Sequence, residues 1–141
     1  MGVTLESKNC SLDFGYGGFN NIRTKVAELA ADDIGEHYKH LSDAPFFEEQ
    51  RKPFFEEYDK KITEISKAHN GEMDGILHFI YASDCDGEMP YEVCEQIYEV
   101  IKDYDDSILY GYCGRSDCAM FKDFKELVKD CVENKCSMTW F

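Results

Sequence analysis

The spacing of apolar residues changes along the chain from alternating to helical and back again. Residues 3–14 alternate well enough to predict a strand or a hairpin arm, and residues 137–141 again resemble a strand. The glycine-rich stretch at 15–18 predicts a turn. Between these ends, apolar residues recur every three or four positions, as on one face of a helix. This period predicts helices over residues 20–41, from 45 or 53 to 68, 73–81, 90–104 and 120–132, with a short strand over 107–112.

Strands at both ends of a helical middle predict an α+β fold. We expect one helix-rich domain spanning residues 1–141, in which the terminal strands pair in a small antiparallel sheet. A chain of 141 residues suits a single domain, and we find no linker, low-complexity tract or internal repeat that would divide it.

The net charge of the chain limits the kinds of molecule that it can bind. The chain has 29 acidic and 15 basic residues, a net charge of −14, while its 43% apolar content is typical of a globular protein. Such a body repels nucleic acid and anionic lipid, so we expect no direct nucleic-acid binding and favour a strongly basic partner. No apolar run approaches the roughly 18 residues of a membrane span, and no secretory signal is evident, which predicts a cytoplasmic protein without membrane contact. The plain alternative is that the acidic residues only solvate the surface.

One segment concentrates this charge. Its carboxylates recur at gaps of four, three, four and four residues, so they fall on one helical face about 5–6 Å apart along the axis, with Glu88, which precedes Pro90, at or just outside the start of the helix. Like charges at this spacing destabilise a helix by a few tenths of a kcal/mol each, which is unusual for solubility alone. We interpret the row as a partner-binding face that docks into a basic nucleic-acid channel, with a solvated outer face as the alternative. Its members are Glu88, Glu92, Glu95, Glu99 and Asp103.

The seven cysteines suggest a metal site, because thiols stay reduced in a cytosol. Cys85, Cys94, Cys113 and Cys118 lie within 34 residues near predicted turns, and four thiolates suit tetrahedral zinc. The spacing therefore predicts a structural zinc ion. The alternative for Cys94 is a small buried hydrophobe, since it lies on an apolar helical face.

Motifs for catalysis are missing from the sequence. There is no nucleophile elbow, no phosphate-binding glycine loop and no complete calcium loop around residues 83–88. His37 and His40 are three positions apart and can share a helix face, but no acidic motif accompanies them. We therefore expect a protein that is not an enzyme.

Three segments of the chain resemble small proteins of bacteriophages and prophages. They are residues 14–19 (FGYGGF), 83–88 (SDCDGE) and 108–112 (ILYGY). With its acidity and cysteines, the chain resembles a zinc-containing anti-CRISPR inhibitor of a type II RNA-guided nuclease. The resemblance implies a protein of the bacterial host cytoplasm that binds this nuclease and blocks the loading of target DNA. The alternatives are a zinc-binding phage accessory or structural protein without nuclease contact, or a metal-dependent enzyme.

Overall fold

The two ends of the chain meet in one antiparallel sheet. The structure is a computed structural model that describes residues 2–104 and 120–141. Strand β1 pairs with β2 as a hairpin and with β4 on its other side, and β3 pairs with β4, which gives the order β2-β1-β4-β3. This confirms the predicted pairing of the terminal segments. The strands are β1 (Gly2–Glu6), β2 (Ser11–Gly15), β3 (Gly87–Met89) and β4 (Met138–Trp140).

Helices make up most of the remaining described chain, which confirms the helix-rich α+β class. A short 3-10 helix, His40–Asp43, follows the second of them. The predicted strand at 107–112 lies outside the described residues. The helices are α1 (Tyr16–Ala30), α2 (Asp32–Lys39), α3 (Glu48–Ala68), α4 (Asp74–Ile80), α5 (Tyr91–Ile101) and α6 (Phe121–Asn134).

Two local predictions were wrong. The glycine-rich stretch at 15–18 is not a free turn, because Gly15 ends β2 and α1 begins directly after it at Tyr16. The single helix predicted over 20–41 is two helices, separated by the extended backbone of Ala31 (φ −170°, ψ 152°). Asp32 and Asp33 then occupy the first turn of α2, where negative charge is favourable. Gly35 lets α2 fold back closely, since a Cβ there would lie 3.0 Å from the Cα of Glu28.

Large aromatic side chains hold the sheet against the helices. Trp140 of β4 contacts Phe19 of α1 and Phe79 of α4, with ring centroids 5.6 and 5.9 Å apart. All three are buried in one cluster that takes side chains from both ends of the chain. Gly87 faces the Trp140 indole so closely that any Cβ would collide with the ring. The sheet therefore depends on glycine at this position of β3.

No helix in the two described ranges is long and apolar enough to cross a membrane. The longest, α3, carries eleven charged side chains.

Candidate functional site

Helix α5 presents the predicted acidic row to solvent. Pro90 precedes its first turn, and Cys94, Ile97 and Ile101 lie on its inner face, each with no exposed surface. The opposite face is polar because these apolar positions recur at gaps of three and four. All five predicted carboxylates are exposed: Glu92, Glu95 and Glu99 on the helix, Glu88 on strand β3 and Asp103 just after the helix.

These carboxylates have little local neutralisation. From Asp84 to Asp103 the sequence has seven acidic residues and one basic residue, Lys102. Lys102 Nζ lies 2.8 Å from Glu99 Oε1, and this hydrogen bond raises the pKa of the lysine. Within residues 2–104 and 120–141, the other four carboxylates of the row make no ion pair. The row, which we call the acidic face, is therefore a rigid anionic surface that suits a cationic counterpart.

The predicted zinc ligands lie in dissimilar surroundings. Cys85 is exposed in the turn before β3, with its Sγ 3.4 Å from Oδ1 of Asp84, and the hydrogen bond to this carboxylate raises the thiol pKa. Cys94 is buried between α5 and α6. Cys113 and Cys118 lie outside the described residues. The four-cysteine zinc site thus stays a prediction.

Cys94 has two other thiols as neighbours. Cys131 of α6 lies close to Cys94, and the interaction of the two thiols lowers the pKa of Cys94 and raises that of Cys131. Cys136 joins them because Lys135, directly after α6, adopts the left-handed conformation (φ 50°), and the Cys136 amide donates to the Cys131 carbonyl at 3.0 Å. This helix end brings the side chains of the two residues together. In the part of the chain that the structure describes, no group of three or more His, Cys, Asp or Glu side chains is placed to hold a metal ion.

A second surface was not predicted. A cavity of about 450 Å³ opens between α2 and α3. Tyr58 forms its floor: its hydroxyl donates to the His37 carbonyl at 2.6 Å, and the two rings stack at 3.8 Å. Burial lowers the pKa of His37, so this imidazole is held neutral at pH 7. The cavity is lined by His37, His40, Phe54, Glu57, Tyr58 and Lys61.

Beside this cavity stand the most exposed large apolar side chains of the described residues. Phe46 and Phe47 precede α3 and expose 90% and 67% of their surface, with the rings 5.6 Å apart. Residues 45–49 and 53–57 both read Pro-Phe-Phe-Glu-Glu, so the expectation of no internal repeat was wrong. That repeat, together with the shared face of His37 and His40, is the sequence signal that points to this surface.

Comparison with known proteins adds no relative: no family model, no curated protein and no solved structure matches the chain.

Proposed function

We propose that the protein is a stoichiometric inhibitor that binds a basic protein surface through the acidic face. The observation that carries this proposal is the exposure of five carboxylates on and beside α5, four of them without an ion-pair partner in the described residues. The repeated like charges lower helix stability, and the inner face of α5 already fixes the helix in the core. A partner that neutralises the acidic face would therefore gain favourable Coulomb energy without needing to order the helix.

The resemblance directs this proposal to a type II RNA-guided nuclease. Such nucleases hold nucleic acid in a positively charged channel, which is an electrostatic counterpart for a row of anions. The acidic face would occupy part of that channel and block the loading of target DNA, with no chemistry carried out by this chain. The site of action is then the cytoplasm of a bacterial host.

The sharpest experiment reverses the centre of the acidic face. A triple variant, E92K with E95K and E99K, should lose inhibition and weaken binding at least about 100-fold, because attraction becomes repulsion at every position. The matched control is E49K with E56K and E72K, which makes the same change in net charge at exposed glutamates elsewhere. The control should retain more than half of the inhibition. Full inhibition by the first variant, or equal loss in both, would contradict this surface.

Competition and salt test the mode of binding. Complex formation should weaken as salt rises from about 0.05 to 0.5 M, since exposed charges are screened within a few ångströms at high ionic strength. Nuclease preloaded with target DNA should bind the protein much more weakly than nuclease without DNA. Equal affinity for both forms would place the contact outside the nucleic-acid channel.

Zinc is a separate prediction that metal analysis of the purified protein settles. About one zinc ion per chain, lost in the Cys85→Ser variant, would support the four-cysteine site. A zinc content near zero would leave Cys85 as an ordinary exposed thiol.

A further inference from the structure

The exposed aromatic pair and the neighbouring cavity form complementary parts of one surface. We call Phe46 and Phe47 the knob. They are held in place because the Arg51 guanidinium donates to the Pro45 carbonyl at 3.2 Å and the Gln50 amide donates to the Phe47 carbonyl at 3.0 Å. The knob is thus an ordered feature of the start of α3, and apolar area of this kind marks an interaction site.

The cavity offers an aromatic site of matching chemistry. Phe54 and His40 lie with their ring centroids 5.5 Å apart, and Tyr58 stacks against both at 5.9 and 6.3 Å. A volume of about 450 Å³ admits an aromatic ring, since pockets from about 300 Å³ hold organic ligands. Phe54 lies seven residues after Phe47, about 10 Å along the helix. A two-fold axis between the knob and the cavity would therefore place each knob at the cavity of a second copy.

Charge favours a second copy over a basic partner. Helix α3 carries six acidic and five basic side chains, so its surface is close to neutral while the whole chain has a charge of −14. Two copies can approach through α3 without the repulsion that their acidic faces would cause. A strongly basic partner would be attracted to α5 instead.

The area is sufficient for a reversible dimer. A phenylalanine buries about 150–250 Å², so the knob with the half-exposed rings of Phe54 and Phe55 supplies roughly 500 Å² per chain. Two chains then bury about 1,000 Å², which is the minimum for a biological interface and is typical of weak, reversible association. We propose that the protein forms a two-fold symmetric homodimer in which the Phe46–Phe47 knob of each chain enters the aromatic cavity of the other. This inference does not depend on the proposed function, because α3 and α5 are separate surfaces.

Sedimentation equilibrium from about 1 to about 200 μM tests the dimer. The wild-type mass should rise to twice that of the chain with a dissociation constant in the micromolar range, and 0.5 M salt should change this constant less than about threefold. The F46S/F47S variant should remain a monomer throughout. Phe141→Ser is the matched control, because Phe141 is also exposed (63%) but lies at the end of the sheet, and it should dimerise as the wild type does. A wild-type monomer at every concentration, or equal loss of dimer in both variants, would overturn the proposal.

Mixing two variants tests the symmetry. Phe54→Asp places a carboxylate in the cavity wall, so it should abolish the homodimer while leaving its own knob intact. Mixed with F46S/F47S, it should form a weak heterodimer, because one knob and one cavity remain intact and match. Failure of the mixture to associate would overturn the two-fold arrangement, and capture of a different protein by monomeric wild type would assign the knob to that partner.

Discussion

Helices α3 and α5 differ in how the fold holds them and in what they present to solvent. Helix α5 is short and buries three side chains completely, whereas α3 is nearly twice as long and buries Tyr58 and Ile65. The charged residues on the outer face of α5 are all acidic, while α3 combines mixed charge with exposed aromatic rings. In this protein the charged face lies on a firmly packed helix, whereas the exposed apolar surface lies on a loosely packed one.

Matched truncations give the largest expected difference between the two helices. Ile97→Ala in α5 should lower the free energy of unfolding by about 3–4 kcal/mol, because the side chain is fully buried and the substitution leaves a cavity. Ile62→Ala in α3 should cost about 1 kcal/mol, because this residue is only partly buried. Urea unfolding measures both values. Equal costs would show that α3 is packed as firmly as α5.

The hydroxyl of Tyr58 is expected to anchor α3. It donates to the His37 carbonyl at 2.6 Å and lies 2.9 Å from the Tyr81 hydroxyl. Tyr58→Phe removes both of these side-chain hydrogen bonds, so it should lower the free energy of unfolding by about 1–2 kcal/mol and speed amide exchange in α3. Tyr91→Phe in α5 is the control, since no hydrogen bond of its hydroxyl is found among the described residues. Unchanged exchange in the Tyr58 variant would mean that apolar contacts alone hold α3.

Acidification should destabilise the packing of α3 before that of α5. His69, at the end of α3, lies 3.0 Å from both carboxylate oxygens of Asp33 in α2. Burial raises the pKa of Asp33, but the hydrogen bond and charge of His69 outweigh it and the net shift is downward. Because the pKa of Asp33 is lower in the folded protein than in the unfolded chain, where it is near 4, this carboxylate stabilises the fold at pH values above about 4. The stabilisation is lost as the pH falls through the folded pKa.

The Asp33→Asn variant measures this contribution. The pair is partly exposed, so the free energy of unfolding of the wild type should exceed that of the variant by less than about 1 kcal/mol at pH 6, and the difference should shrink as the pH falls below about 4. Urea midpoints across this range provide the test. A difference that grows on acidification would contradict the assignment.

The smallest change in stability is expected for the acidic face, because its glutamates are proposed to serve binding and not folding. Neutralising two carboxylates of the acidic face with E95Q and E99Q should raise the free energy of unfolding by a few tenths of a kcal/mol, because it removes like-charge repulsion and leaves Glu92 in the first turn of α5, where negative charge is favourable. Loss of the exposed Glu99–Lys102 pair should offset little of this gain. A loss of more than about 1 kcal/mol in urea unfolding would show that these glutamates hold the fold together.

The sequence was sufficient for features that depend on local periodicity. The inner face of α5, marked by Cys94, Ile97 and Ile101, follows from spacing alone, and its outer face follows by exclusion. The apolar spacing did not predict the break between α1 and α2 at Ala31, because both helices face the same core and their apolar pattern continues across the break. The thiols that lie next to Cys94 could not be predicted from the sequence either, since they depend on how α5 packs on α6.

The α3 surface was missed for a different physical reason. The spacing of Phe54, Phe55, Tyr58, Ile62 and Ile65 is that of a core-facing helix, and yet just two of α3's side chains are fully buried. How much of an amphipathic face is covered depends on the neighbouring elements, and α3 packs mainly on α2.

The register between β1 and β4 also bears on how this protein is made. Leu5 and Glu6 pair with Trp140 and Thr139, so the sheet joins segments more than 130 residues apart. While a nascent chain emerges from the ribosome, the hairpin of β1 and β2 must keep one edge open until β4 has been translated. An open edge is a template for aggregation, so chaperone protection should matter most during that interval.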